Sequence, residues 1–137
     1  MEFGVTSMTS PLLRVAVRPP DAKAEFAAAH WAQPLDIDLL LEQHAALVAL
    51  LASRGCEVVA LPSTPALADS CFTYDPAFMM GDGLVELRAA KAVRVGEGEL
   101  MSADLESIGV PTVARLVAEA TADGGEMFWL DDSTLAV

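Results

Sequence analysis

Apolar and polar residues follow two different periods along the chain, which together predict a mixed α/β fold. The strongest pattern lies at residues 36–54, where apolar side chains recur with the period of a helix, and a second helix is predicted at residues 97–108. Each predicted helix is followed by a glycine, Gly55 or Gly109, the residue that most readily ends a helix. Short apolar runs predict strands at residues 12–17, 57–61, 84–88 and 111–116, and residues 71–80 are partly strand-like.

The remaining segments are predicted as turns and loops. Pro19 and Pro20 stop the first strand, because proline cannot donate a backbone hydrogen bond. Residues 21–34 have only a weak helical pattern, at residues 24–31, and form either an ordered loop or a lid. Glycines at 81 and 83 predict a turn, and two apolar stretches at 126–130 and 134–137 predict a terminal hairpin.

The order of these elements predicts an internal repeat. Helix, glycine and strand occur twice, and each unit is predicted as strand, strand, helix, strand. Arrays of such units usually need at least about three repeats, and here the last unit has its hairpin but no helix. We therefore expect residues 1–137 to form a single partial domain. Met8 is an alternative start, which would make residues 1–7 a non-native extension.

Composition narrows the possible partners. The chain has 8 basic and 20 acidic residues, giving a net charge of −12, and 53% of its residues are hydrophobic. This acidity argues against nucleic acid and anionic membranes and is compatible with a small cationic ligand. No apolar run approaches the roughly 20 residues that span a bilayer, and no signal peptide is visible. Cys56 and Cys71 have no metal-binding or redox spacing, so we expect a cytoplasmic protein with reduced thiols, no metal and no cofactor.

Three segments, taken together and in order, resemble one group of enzymes. The first is LLRVAVRPP with the LEQH of the first helix, the second is DSCFTYDPAF followed by R-x-G-E at residues 94–97, and the third is DGGEMFWLDDSTLAV. They are similar to the amidinotransferase-like superfamily of guanidine-modifying enzymes, most of all to dimethylarginine dimethylaminohydrolases. The similarity covers nearly the whole chain, and residues 21–33 are its least distinctive part.

This resemblance implies an α/β fold, the first half of a pentein-type α/β propeller built of repeated strand-strand-helix-strand units. It also implies a reaction, in which a cysteine thiolate attacks the guanidinium carbon and a histidine protonates the departing amine. Water then hydrolyses the covalent intermediate and releases citrulline. The cysteine and histidine of the superfamily would lie beyond Val137, so this chain alone is predicted to be inactive.

The resemblance also assigns roles to residues of this chain. Asp69 and Asp75 match substrate-binding acids, and Arg94 matches an arginine that holds the amino-acid end of the substrate. Asp123 matches the catalytic acid that grips the reacting guanidinium, and Glu126, the second acid of that segment, is assigned to substrate binding. The family pattern has glutamate first and aspartate last. The two acids are exchanged here, which shortens the first by one methylene and puts its reach to the substrate in question.

Each of these residues also has a structural interpretation. Asp69 and Asp75 suit turns, Asp123 and Glu126 suit a polar loop before a hairpin, and Arg94 suits a solvated surface charge. Cys71 is expected to be structural, because nearby carboxylates disfavour a thiolate.

Three functions therefore remain open. The leading one is a fragment of a hydrolase that cleaves a carbon–nitrogen bond of methylated arginine, with arginine as the main alternative substrate, and that forms a homodimer when complete. The alternatives are a relative of arginine deiminases or amidinotransferases, and a non-catalytic acidic binding protein that assembles with another chain.

Overall fold

The computed structural model describes Phe3 and residues 5–137. The chain divides into two compact units, which we call the first unit (Pro11–Thr73) and the second unit (Tyr74–Val137). The described residues before Pro11 group with the second unit. The extension expected at residues 1–7 includes Met1, Glu2 and Gly4, which lie outside the described residues. The single partial domain expected from the sequence stays a prediction.

The first unit consists of two parallel strands and the helix that connects them. β1 (Arg14–Val17) pairs with β2 (Glu57–Ala60), with Val17 opposite Ala60. α1 (Ile37–Ser53) lies between them in sequence, within the limits that its apolar period predicts. Parallel neighbouring strands need a long crossover of this kind, because a tight turn cannot bring the chain back to the same end of the sheet.

Both ends of α1 are stabilised locally, and the glycine after its C-terminal end is the one that the sequence predicts. The Asp36 carboxylate accepts a hydrogen bond from the Leu39 N–H at 2.9 Å, which satisfies one of the unpaired donors of the first turn. Gly55 has φ = +82°, a left-handed conformation that glycine adopts without strain. No residue of α1 is buried. Leu39, Leu47 and Leu50 are about half exposed, at 47%, 49% and 53%, so this helix also presents an apolar surface to solvent.

The helix that the weak pattern at residues 24–31 predicts is not formed, so that prediction is wrong. These residues form turns, and the alternatives of an ordered loop and a lid both stay predictions. Local backbone bonds hold the turns, for example from Ala24 N–H to the Asp21 carbonyl oxygen at 3.0 Å. Phe26, Ala29 and Ala68 form a small core beneath this segment.

The second unit contains a three-stranded sheet, one helix and a short hairpin. Its elements in chain order are β3 (Ala77–Met80), β4 (Gly83–Glu86), α2 (Glu97–Ser107), β5 (Thr112–Arg115), β6 (Phe128–Trp129) and β7 (Leu135–Ala136). The sheet has the order β3-β4-β5, in which β3 and β4 are antiparallel and β4 and β5 are parallel. β6 and β7 form the terminal hairpin that the sequence predicts. Phe78, Leu87 and Met127 form a buried hydrophobic cluster in the second unit.

The predicted repeat is confirmed in its helix-glycine-strand part. Gly109 has φ = +90° and follows α2 as Gly55 follows α1. The strand-strand-helix-strand order is observed for β3, β4, α2 and β5. In the first unit it is wrong, because only β1 precedes α1 among the described residues. β1 is flanked by Pro11, Pro19 and Pro20. Because proline has no backbone N–H to donate, these positions do not extend the strand pairing.

Among the helices that the structure describes, none is long and apolar enough to cross a membrane.

Candidate functional site

The candidate site lies in the second unit, around the guanidinium of Arg94. Arg94 ends a short 3-10 turn, Ala92–Arg94, just before α2, and only 7% of it is exposed. Its Nη1 donates to Asp75 Oδ2 at 2.6 Å and lies 4.0 Å from Asp123 Oδ1. Its Nε and Nη2 both donate to Glu97 Oε2, at 2.9 and 2.6 Å. One buried cation therefore contacts three carboxylates from three different segments.

The charge of Arg94 is stable in this setting. Burial by itself would lower the pKa of Arg94, because a low-dielectric surrounding disfavours the charged form. The hydrogen bonds and negative charges of Glu97 and Asp75 outweigh burial, so the pKa of Arg94 is raised above its ordinary value. The interpretation of Arg94 as a solvated surface charge is wrong.

Asp75 is positioned by the turn at residues 73–76 that leads into β3. Its backbone carbonyl accepts a hydrogen bond from the Gly124 N–H at 3.0 Å, which ties this turn to the segment that carries Asp123. Phe78, two residues into β3, is buried at 3% exposure and anchors the chain after the turn. Asp75 is therefore both a turn residue and an ion-pair partner of Arg94.

Asp123 immediately precedes a 3-10 turn, Gly124–Glu126, that leads to β6. The Glu126 carboxylate accepts from the Asp123 backbone N–H at 3.4 Å, so the second acid of the pair supports the loop of the first. Asp123 Oδ1 is buried and receives no hydrogen bond from any described residue. Buried carboxylate oxygens are normally paired, and the charge that faces this one is Arg94 Nη1 at 4.0 Å.

Asp69, the remaining acid predicted for the site, belongs to the first unit. It lies in the 3-10 turn Ala68–Cys71, is 4% exposed, and accepts a hydrogen bond from the indole Nε1 of Trp31 at 2.6 Å. Trp31 in turn stacks on Phe72, with ring centroids 5.6 Å apart and planes at 23°. Asp69 thus anchors the turn-rich segment before α1.

Three neighbouring residues have structural contacts. Cys56 is buried. The Cys71 thiol donates to the Ala68 carbonyl oxygen of its own turn at 3.8 Å, which fits its expected structural role. Phe72 is 48% exposed and stacks on Trp31.

Sequence reasoning missed the contribution of Glu97. Glu97 is the first residue of α2 and is 2% exposed, and the sequence resemblance includes it only as the last residue of R-x-G-E. The available signal was its spacing, because an arginine and a glutamate three residues apart at the start of a helix can form an ion pair. Among the described residues, no group of three or more His, Cys, Asp or Glu side chains could hold a metal ion.

Comparison with known structures defines the class of fold. No protein-family profile matches the chain. Several solved enzymes that modify arginine or its derivatives superimpose on 84–86% of it, over the N-terminal portion of their own chains. The chain therefore has the α/β pentein fold over that portion, and the fold predicted from the resemblance is confirmed.

The individual similarities are moderate in sequence and extensive in structure. A dimethylarginine dimethylaminohydrolase adduct with 4-chloro-2-hydroxymethylpyridine has 24% identity and a TM-score of 0.72, with 85% of this chain and 45% of that chain covered. The enzyme from Pseudomonas aeruginosa complexed with citrulline has 22% identity and a TM-score of 0.72, with 86% and 47% covered. The N-terminal domain of ArgZ, a cyanobacterial arginine dihydrolase bound to substrate, has 20% identity and a TM-score of 0.70, with 84% and 44% covered.

A curated relative is the uncharacterised protein YkgA of Bacillus subtilis. It is 30% identical over 91 residues, which are 66% of this chain and 31% of the relative. The chain thus spans about a third of this curated relative and less than half of the solved enzymes.

Proposed function

We propose that this chain forms the carboxylate side of an active site that hydrolyses a carbon–nitrogen bond in the guanidinium group of arginine or methylated arginine. The observation that carries the proposal is the convergence of Asp75 and Asp123 on Nη1 of one guanidinium, that of Arg94. The fold shared with enzymes named for arginine and dimethylarginine chemistry supports it.

The geometry of the acids suits a guanidinium ligand. A guanidinium is a planar cation with five N–H donors, and carboxylates that accept several of them hold both its position and its plane. Asp75 Oδ2 is already paired with Arg94, whereas the buried Asp123 Oδ1 receives no hydrogen bond from the described part of the chain. We assign Asp123 the direct contact with the reacting guanidinium, and Asp75 a second contact through its other oxygen.

In the proposed reaction a cysteine thiolate attacks the central carbon of the bound guanidinium. The bond to one nitrogen breaks, and a histidine gives its proton to the leaving amine. Water then displaces the thiolate and leaves citrulline. We propose that both groups belong to the part of the fold that this chain does not span.

Several finer roles are part of the same proposal. Arg94 is proposed to contribute to binding the amino-acid end of the substrate, Asp69 to be a substrate-binding acid, and Glu126 to bind substrate and support the Asp123 loop. A cytoplasmic location, a homodimer of the complete protein and the lack of nucleic-acid or membrane partners also stay predictions.

The proposal is tested by ligand titration of the ¹⁵N-labelled chain. L-arginine and asymmetric dimethylarginine should shift the amide resonances of residues 73–76 and 123–126, and lysine, which has the same charge but no guanidinium, should not. Asp123→Asn should abolish the response, and Asp132→Asn, an exposed acid in the terminal hairpin, should keep it. Equal responses to arginine and lysine would contradict a guanidinium site.

A further inference from the structure

Glu97 is a buried carboxylate that the proposed reaction does not use. It is 2% exposed and belongs to the first turn of α2. A glutamate buried to this degree is rare unless its charge is paired. Arg94 pairs with Glu97 and donates two hydrogen bonds to the single oxygen Oε2.

These two bonds fix the orientation of the Arg94 side chain. A guanidinium is rigid and planar, so holding its Nε–Nη2 edge determines where the remaining nitrogen points. That nitrogen, Nη1, lies 2.6 Å from Asp75 Oδ2 and 4.0 Å from Asp123 Oδ1. Asp75 therefore shares Arg94 with Glu97 and cannot form a two-bond pair with the same edge.

The backbone around Glu97 is also fixed. The next residue, Gly98, lies against the carbonyl oxygen of Leu87, and an added Cβ would overlap that oxygen. The start of α2 is thus packed directly against the end of β4. The positive end of the helix dipole further stabilises a carboxylate in this first turn. Glu97 consequently acts as a stationary anchor for Arg94.

We propose that Glu97 is a positioning residue of the guanidino-ligand site, which rests on the proposed function. By holding the Nε–Nη2 edge of Arg94, Glu97 confines the contact of Arg94 with the site acids to Nη1. The partly exposed Asp123 carboxylate and the second oxygen of Asp75 then remain available to a ligand. Without Glu97 the same edge of Arg94 turns to Asp75 and forms a bidentate pair, which withdraws an acceptor from the ligand.

The test uses the full 137-residue chain with two independent readouts. The first is the Arg94 Nε–H resonance in a ¹⁵N spectrum, which reports the contact with Glu97 directly. The second is the affinity for L-arginine from the same titration. In Glu97→Gln we expect the Nε–H resonance to shift or broaden, and the affinity to fall roughly tenfold or more, as for loss of a charge-assisted bond. Glu99→Gln is the matched control, since Glu99 is an exposed acid of the same helical turn.

The outcomes separate this inference from the proposed function. A folded Glu97→Gln chain with the wild-type Nε–H resonance and wild-type affinity would overturn the positioning role. If wild type does not distinguish arginine from lysine, the proposed function fails. The Nε–H resonance alone then decides the role of Glu97, and an unchanged resonance refutes it. Should Glu97→Gln not fold, Glu97→Asp keeps the charge but withdraws it by one methylene. A displaced Nε–H resonance with weaker binding supports the inference, and wild-type values for both refute it.

Discussion

Gly124 packs so closely on Tyr74 that a Cβ at position 124 would overlap the Tyr74 carbonyl oxygen. The Gly124 N–H also donates to the carbonyl oxygen of the next residue, Asp75, at 3.0 Å. These two backbone contacts place Asp123, which precedes Gly124, beside Asp75, which follows Tyr74. The close approach of the two backbones, which brings Asp123 near Asp75, therefore requires a glycine at position 124.

Replacing Gly124 with alanine should destabilise the second unit by about 1–3 kcal/mol, the usual cost of forcing an extra group into a packed site. Urea unfolding measures this change. Gly125→Ala is the control, because the nearest atom to an added Cβ there is Asp75 Oδ1 at an ordinary 3.9 Å. Equal stability of the two variants would show that the loop relaxes without strain.

Asp75→Asn should lower both stability and ligand binding. The buried Arg94 keeps its bonds to Glu97 but loses the 2.6 Å ion pair with Asp75, which should cost about 1.5–3 kcal/mol in the free energy of unfolding. Arginine affinity should fall as well, by roughly ten- to a hundredfold if one charge-assisted contact is lost. Asp82→Asn, in the exposed loop between β3 and β4, should change neither. If Asp75→Asn binds arginine with normal affinity, Asp75 is not part of the site.

The terminal hairpin should respond to acid through Asp131. Hydrogen bonds from the backbone N–H and the hydroxyl of Ser133 lower the pKa of Asp131 below its ordinary value. A carboxylate with a depressed folded pKa stabilises the fold above its unfolded pKa, and that contribution is lost as the pH falls through the folded pKa. Ser133→Ala removes the hydroxyl donor and should raise the pKa of Asp131 part of the way back. A carboxylate titration followed by NMR checks this, and an unchanged Asp131 pKa would exclude the hydroxyl as a cause.

The exposed leucines of α1 should bind a hydrophobic dye or promote self-association. Leu39, Leu47 and Leu50 lie on one side of the helix and are about half exposed. Changing all three to glutamine should reduce dye fluorescence and any concentration-dependent oligomer, and analytical ultracentrifugation measures the latter. Leu13→Gln, an exposed leucine outside the helix at 76% exposure, should have little effect. A monomeric wild type that binds no dye would contradict the prediction.

The 137-residue chain should release no citrulline from arginine or dimethylarginine. The Cys71 thiol is directed to a backbone carbonyl of its own turn, and Cys56 is buried. A colorimetric citrulline assay against a buffer control checks this. Activity that disappears in Cys71→Ser would make Cys71 a nucleophile.

Sequence patterns predicted nearly all of the regular elements, because the helices and strands are short segments with strong local signals. α1, for example, begins at the Asp36 cap and ends before Gly55, as its period and its glycine indicate. The hydrogen-bond and ion-pair partners of side chains could not be predicted from such local patterns. The bond from Trp31 to Asp69 joins residues 38 positions apart. The burial of Glu97 depends on how α2 packs, which no local pattern records.

The pairing of the strands also sets an order of folding. β1 and β2 are parallel neighbours, so their first hydrogen bond forms only after α1 and both flanking loops have been closed. β3 and β4 are joined by the two residues Gly81 and Asp82, so their hairpin can close locally in roughly 1–10 μs. The second unit therefore has the faster route to its first strand pair, although its β4–β5 pair also needs a crossover through α2 and the ribosome makes this unit after the first. A nascent chain that ends at Thr73 must complete the slower crossover before any sheet exists.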